Sequence, residues 1–199
     1  MNHVYNHLSQ RIASEVETSI QVKQRVIAEQ ISILDEIAQL LIEALRAGGK
    51  VLVFGNGGSA ADSQHIAAEL VSRFRRERGA LPSIALTTDT SILTAIANDY
   101  SFDRVFARQV EALGQKGDVA LGISTSGNSP NVLSGMMAAR EQGMRAIGFT
   151  GEDGGKLKDC VDLCFRVPSR NTARIQEAHI TIAHALCEII EQELFPSHA

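Results

Sequence analysis

The sequence predicts a doubly wound α/β domain, a parallel five-stranded sheet with helices on both faces, carrying a helical N-terminal extension. Three observations predict it. After residue 50, short apolar runs alternate with stretches of helical spacing, the pattern of successive βα units. Those apolar runs are nearly continuous rather than alternating, as strands buried on both faces require. From residue 4 to residue 47 there is neither proline nor glycine, and apolar residues recur at helical spacing.

In chain order, Val4, Leu8, Ile12, Val16 and Ile20, then Ile31, Leu34, Ile37, Leu41 and Leu45, predict two long helices that end at the Gly48-Gly49 stop signal. The first is only narrowly apolar, so it is expected to lie across a partner, most simply helices of another copy of the chain. Strands are expected at Val51–Phe54, Ser83–Leu86, Val119–Ile123, Ala146–Phe149 and Leu163–Val167. Helices are expected around 60–76, 91–97, 103–113, 130–142 and 173–194. No repeat, linker or low-complexity segment interrupts the pattern. Residues 1–199 therefore read as one domain, with 1–48 as an oligomerisation extension.

Composition narrows the class. The chain has 199 residues, 44% hydrophobic and 21% charged, with a formal net charge of −4. These values describe a globular protein and argue against nucleic acid as the main ligand. No apolar run reaches the ~18 residues of a membrane span, and MNHVYNHLSQ does not read as a signal peptide, so a cytoplasmic location is expected. Cys160, Cys164 and Cys187 lack zinc-ribbon spacing and read as reduced thiols.

Gly55 to Leu70, GNGGSAADSQHIAAEL, carries the first chemistry. A glycine-rich turn between a strand and a helix bares backbone N–H groups at a helix N-terminus, which suits an anion. His65 and Glu69, four residues apart, share one helical face. Together they point to chemistry on a phosphorylated small molecule. A second loop, Ser124-Thr125-Ser126-Gly127-Asn128-Ser129, also leaves a strand and opens a helix. Its hydroxyls and amides can surround a phosphate without lysine, and Ser129 before Pro130 also fits a helix cap. No GxxxxGK[ST] occurs, which excludes a P-loop. GNGGSA matches the dinucleotide fingerprint, but its acidic partner would have to be Asp89, later than that scheme places it.

GNGGSAADSQHIAAEL, IANDY, ISTSGNS, TGEDGG and RIQEAHITIAHAL, in this order over nearly the whole chain, resemble the sugar isomerase (SIS) domain family, whose fold is flavodoxin- or Rossmann-like. Within it they look most like the isomerases of seven-carbon sugar phosphates. That resemblance implies an aldose–ketose isomerase converting sedoheptulose 7-phosphate through an enediol, at the head of heptose supply for lipopolysaccharide or capsule. It implies a homotetramer with active sites at subunit interfaces and one zinc ion per subunit. Its metal ligands match His65, Glu69, Gln176 and His184, and its acid–base pair matches Glu69 as base and His184 as acid. Its substrate-binding positions match Asn56, Gly57, Gly58, Asn98, Asp99, Ser124, Thr125, Ser126, Ser129 and Gln176.

Read bottom-up, two imidazoles, a carboxylate and an amide oxygen suit a first-row ion, zinc above all. Gln176 and His184 stand eight residues apart, about 12 Å along a straight helix, so one is expected to come from a neighbouring subunit or to bind unequally. His179 reads as structural or as a residue that supports a metal ligand from behind, and His3, His7 and His198 read as structural or surface residues. Asn98-Asp99 also suits a turn. Arg73, Arg75, Arg76 and Arg78 read as a solvated basic helix end, with an anionic site across an interface as the alternative for Arg73. The alternative is a regulatory tetramer of the same fold that binds the replication initiator. Retention of His65, Glu69, Gln176 and His184 together favours the enzyme.

Overall fold

The computed structural model describes residues 2–196, with side chains described from residue 7. Helix α1 (Asn2–Arg46) leads to strand β1 (Val51–Gly55), α2 (Gly58–Val71), β2 (Ser83–Ala85), α3 (Thr90–Asp99) and α4 (Ala107–Leu113). Then come β3 (Val119–Ile123), α5 (Pro130–Glu141), β4 (Arg145–Thr150), β5 (Leu163–Arg166) and α6 (Thr172–Leu194). Short 3₁₀ turns at Phe102–Arg104 and Leu157–Asp159 complete the chain. All five expected strands form, and their order is β2-β1-β3-β4-β5, parallel throughout.

The alternation of side chains along each strand divides the core into two layers. Val51 and Val53 of β1 face one side with Ile37, Leu41, Phe149, Phe165 and Ile190, under α1, α2 and α6. Leu52 and Phe54 face the other with Val110, Val132 and Met136, under α4 and α5. Because β2 and β3 flank β1 on opposite sides, the chain reverses direction across the sheet at β1. A crevice therefore opens between the loops that follow β1 and β3.

One expectation needs correction at the N-terminus. The two predicted helices are a single α-helix of 45 residues, about 67 Å at ~1.5 Å per residue. Nothing in residues 4–47 breaks it, since a stop needs proline, glycine or a cap and none occurs. Its C-terminal half docks through Leu34, Ile37, Leu41 and Leu45, whereas Leu8, Ile12, Val16, Ile20, Ile27 and Ile31 stay exposed. Arg174 Nη1 ties the near end of that stripe to α6, donating to the Glu15 carbonyl and carboxylate. His7 is exposed on α1; His198 and the side chain of His3 lie outside the described residues.

Candidate active site

Three side chains named from the sequence converge on the flank where α2 meets α6. His65 Nε2 stands 3.0 Å from Glu69 Oε1 and 3.3 Å from His184 Nε2. One ligand atom from each of the three lies within 4.8 Å of the others. Their local cause is simple: His65 and Glu69 share a face of α2 through i,i+4 spacing, and α6 packs beside α2 and presents His184 to them. The donor set fits a divalent ion. Two imidazole nitrogens 3.3 Å apart match the ~3.3 Å ligand–ligand edge of a tetrahedral site with bonds of ~2.0–2.1 Å. His65 is 46% exposed at its side chain and Glu69 23%, so the flank opens to solvent in the single chain.

Asp62, one turn before His65 on the same helix, was not singled out from the sequence, although its i,i+3 spacing was a usable signal. Its Oδ2 is buried without a hydrogen-bond partner. Burial pushes this carboxyl above its ordinary value, with His65 and then His184 pulling weakly the other way.

Glu191 and Arg78 fix the far ends of the two helices. Glu191 Oε1 accepts from the backbone N–H groups of Arg75 and Arg76 at 3.0 and 2.7 Å, and Oε2 from Phe74 N and Arg78 Nε at 3.0 and 3.2 Å. Burial alone would raise this carboxyl, but the amides of Arg75, Phe74 and Arg76 and the Arg78 guanidinium hold it below its ordinary value. Arg78 in turn donates to the carbonyls of Glu69 and Leu70. Arg78 is therefore not part of a solvated basic end, for its side chain is 1% exposed. The turn it braces seats the Phe74 ring 5.7 Å from His184.

Around the crevice, the first loop places Gly57 (φ +56°) as the N-cap of α2, and the N–H groups of Gly57 and Gly58 find no partner among the described residues. Gln176 reaches over this turn, so closely that a Cβ on Gly58 would lie 2.5 Å from its Nε2. No hydrogen bond among the described residues joins Gln176 to His65, Glu69 or His184. In the second loop, Ser124 Oγ lies 2.9 Å from Ser129 Oγ and 3.5 Å from Ser126 Oγ. Ser129 holds the N-cap position of α5, yet its hydroxyl bonds no helix N–H and turns toward Ser124. Thr125 and Ser126 line a cavity of about 360 Å³ together with Arg170, Ser169 and Gly151.

Other residues fall elsewhere. Asn98 donates to Asp99 at 2.9 Å on the exposed end of α3, and no hydrogen bond among the described residues ties either to the loops. Asp89 caps α3 by accepting from Ile92 N, which leaves the dinucleotide scheme without its acid. His179 is buried against Phe149 and Phe165, with Nε2 3.0 Å from the Thr150 carbonyl. Cys160, Cys164 and Cys187 are free thiols.

Comparison with known proteins agrees with this geometry. The SIS domain family matches residues 16–151. A phosphoheptose isomerase of Roseiflexus sp. (strain RS-1) is 61% identical over 195 residues, covering 98% of this chain and 99% of the relative. That of Thermodesulfovibrio yellowstonii is 51% identical over 188 residues, 94% of each chain. The solved phosphoheptose isomerase of Neisseria gonorrhoeae superposes with a TM-score of 0.88 at 47% identity, covering 93% of this chain and 99% of its own. Nothing in these comparisons supports the replication-initiator reading. With the parallel sheet, the glycine-rich and serine-rich loops after β1 and β3 and a match across most of the domain, the chain belongs to the SIS domain family.

Proposed function

We propose that this protein is an aldose–ketose isomerase that converts D-sedoheptulose 7-phosphate to D-glycero-D-manno-heptose 7-phosphate. One observation carries the reading: an imidazole–carboxylate–imidazole cluster stands on α2, which opens from the first loop, and on α6 beside it, in a chain 61% identical to a phosphoheptose isomerase. The phosphate sits among Ser124, Thr125, Ser126 and Ser129 at the N-terminus of α5, where hydroxyls and the helix dipole favour an anion. The sugar end meets the free N–H groups of Gly57 and Gly58 with Asn56 and Gln176, and Asn98 and Asp99 serve the sugar across a subunit boundary.

Glu69 removes a proton from C1, the carbon beside the ketose carbonyl, and the electron pair moves through the new C1–C2 double bond to O2. His184 supplies the proton that completes the enediol at O2. Return of a proton to C2, with loss of the O1 proton, leaves the aldehyde at C1, so atoms and electrons balance without a redox partner. Zinc is the ion that His65, Glu69 and His184 would hold, with Gln176 the further ligand the resemblance nominates. When bound, it supplies Lewis-acid stabilisation of the charge that develops on the oxygens. Assembly is a homotetramer: α1 offers an uncovered apolar stripe, and α3 contains no buried residue. We assign the enzyme to the cytoplasm and to the first step of activated-heptose supply for lipopolysaccharide or capsule; no described helix is long and apolar enough to cross a membrane.

Turnover of sedoheptulose 7-phosphate by the purified protein, with and without a chelator and beside Glu69→Gln, tests this. The substitution should lower kcat by about 10²–10⁴ with assembly unchanged. A folded, zinc-loaded protein without turnover would overturn the isomerase assignment.

A further inference from the structure

The two loops are joined by a pair of side-chain amides, Asn56 and Asn131, whose mutual pairing the proposed chemistry leaves without a role. Asn56, just past the end of β1, donates from Nδ2 to Asn131 Oδ1 at 2.8 Å, and Asn131 Nδ2 donates back to Asn56 Oδ1 at 2.8 Å. Asn131 is the second residue of α5 and is 2% exposed. Its orientation is fixed independently, because Oδ1 also accepts the Val132 N–H at 3.0 Å and a backbone donor needs oxygen there. Reciprocal pairing of this kind needs a donor and an acceptor on each side, which among side chains of this size only asparagine supplies.

This pair spans the crevice between β1 and β3, where the chain reverses across the sheet. Among the described residues, no other side-chain hydrogen bond joins the two loops. The second loop is itself locked to the loop after β4: Gly151 N donates to Thr125 O at 3.0 Å, Leu157 N to Gly127 O at 2.9 Å, and Lys156 N to Asn128 Oδ1 at 3.1 Å. A Cβ on Gly127 or Gly155 would run into the facing backbone, so these two loops cannot slide. The first loop is attached to that rigid block at its tip through Asn56 and Asn131.

We propose that Asn131 is a positioning residue that acts through Asn56. Their amide pair sets the distance between the Gly57–Gly58 amides and the serine–threonine loop, and so the length of sugar phosphate that bridges them. Asn56 then serves the site as a strut, with one N–H and one acceptor face of its amide committed to Asn131 and its second N–H left to the sugar beside the backbone amides of the first loop. This rests on the sugar-phosphate reading of the two loops given above.

A double-mutant cycle tests it. Wild type, Asn56→Ala, Asn131→Ala and the double variant are compared for KM and kcat on sedoheptulose 7-phosphate. Calorimetry measures the Kd of the same compound, and a thermal melt checks that each variant folds. Loss of the pair should raise KM and Kd about tenfold with kcat changed less, and the double variant should be no worse than Asn56→Ala alone. Asn131→Asp is the second arm. It keeps the Val132 contact and the side-chain volume but sets oxygen against oxygen at Asn56, and it should weaken binding at least as much as the alanine. Asn131 variants that fold and bind like wild type while Asn56→Ala does not would overturn the proposal. So would effects that multiply in the double variant. A wild type that binds without turnover would defeat the isomerase assignment while the Kd cycle still decides the strut. A wild type that neither binds nor turns over would defeat both.

Discussion

His179 should make the stability of this protein fall in mild acid. Its ring is 1% exposed between Phe149 and Phe165, and Nδ1 has no hydrogen-bond partner, so a second ring proton would be buried without an acceptor. Burial lowers its pKa from 6.5 to about 4, against a smaller upward pull from the Thr150 carbonyl. The unfolded chain then binds a proton that the folded chain refuses, so the stabilising difference is complete above pH 6.5 and is lost as pH falls toward about 4. Between about pH 7.5 and about pH 5.5 this single group should remove roughly 1 kcal/mol of unfolding free energy. The reference is His179→Gln, whose amide can still donate to the Thr150 carbonyl but does not titrate. Urea melts of both proteins across that window isolate the imidazole from every other titrating group, because only the difference of slopes is read. Curves that run parallel through the window would refute the assignment of a neutral, buried ring.

Glu191→Gln should cost about 3–5 kcal/mol in a urea melt, because an amide nitrogen must then face one of the donor pairs while Arg78 stays buried without its counter-charge; an unchanged midpoint would refute this. Since the folded carboxyl titrates below its ordinary 4.5, its contribution is present above pH 4.5 and is lost as pH falls through the depressed folded value, so the wild-type melt should steepen there and that of Glu191→Gln should not. Gly58→Ala should fold normally and lose activity, because the added Cβ meets only the flexible amide of Gln176, whereas Gly127→Ala should fail to fold, combining φ +65° with a clash on the Gly154 backbone; circular dichroism and turnover separate the two. Ile12→Glu with Ile27→Glu, both exposed at 67% and 64%, should leave the fold intact and break the proposed assembly, as light scattering would show, with activity falling alongside. An intact tetramer would refute the α1 interface.

Most of the fold was legible because parallel strands advertise themselves. Val51–Phe54 and Val119–Ile123 are continuous apolar runs, and all of them are buried. The continuity of α1 was misread: its two apolar series shift stripe between Ile20 and Ile31, but no breaker separates them. That shift marks where the helix leaves the domain, not where it ends. His65 and Glu69 could be paired from spacing alone, but His184 came only through the family resemblance, since its contact with them spans 119 residues of sequence. Asn131 and Glu191 left no trace for the same reason. An asparagine after proline and a glutamate near a helix end are common, and their partners lie 75 and about 115 residues away.

The two halves of the site are built to different stiffness. The proposed phosphate loop is interlocked backbone, tied by Gly127 against Gly154 and Gly155, and the Asn56–Asn131 pair joins the first loop to it, so on the proposed reading the anion cradle is formed before any ligand arrives. The acid–base half is three side chains on an open flank, and only the far helix ends are clamped, by Glu191 and Arg78. Carboxylate and imidazole facing water interact weakly, since at ~4 Å two charges exchange about 1 kcal/mol in bulk water and several times that where water is excluded. On the proposed reading, proton transfer between carbons requires that flank to be covered, both to strengthen these interactions and to keep the enediol from solvent. On that reading a second copy supplies the cover, against the apolar stripe of α1 and the exposed face of α3. Assembly and chemistry are then one event, and a monomer should retain phosphate affinity while losing kcat.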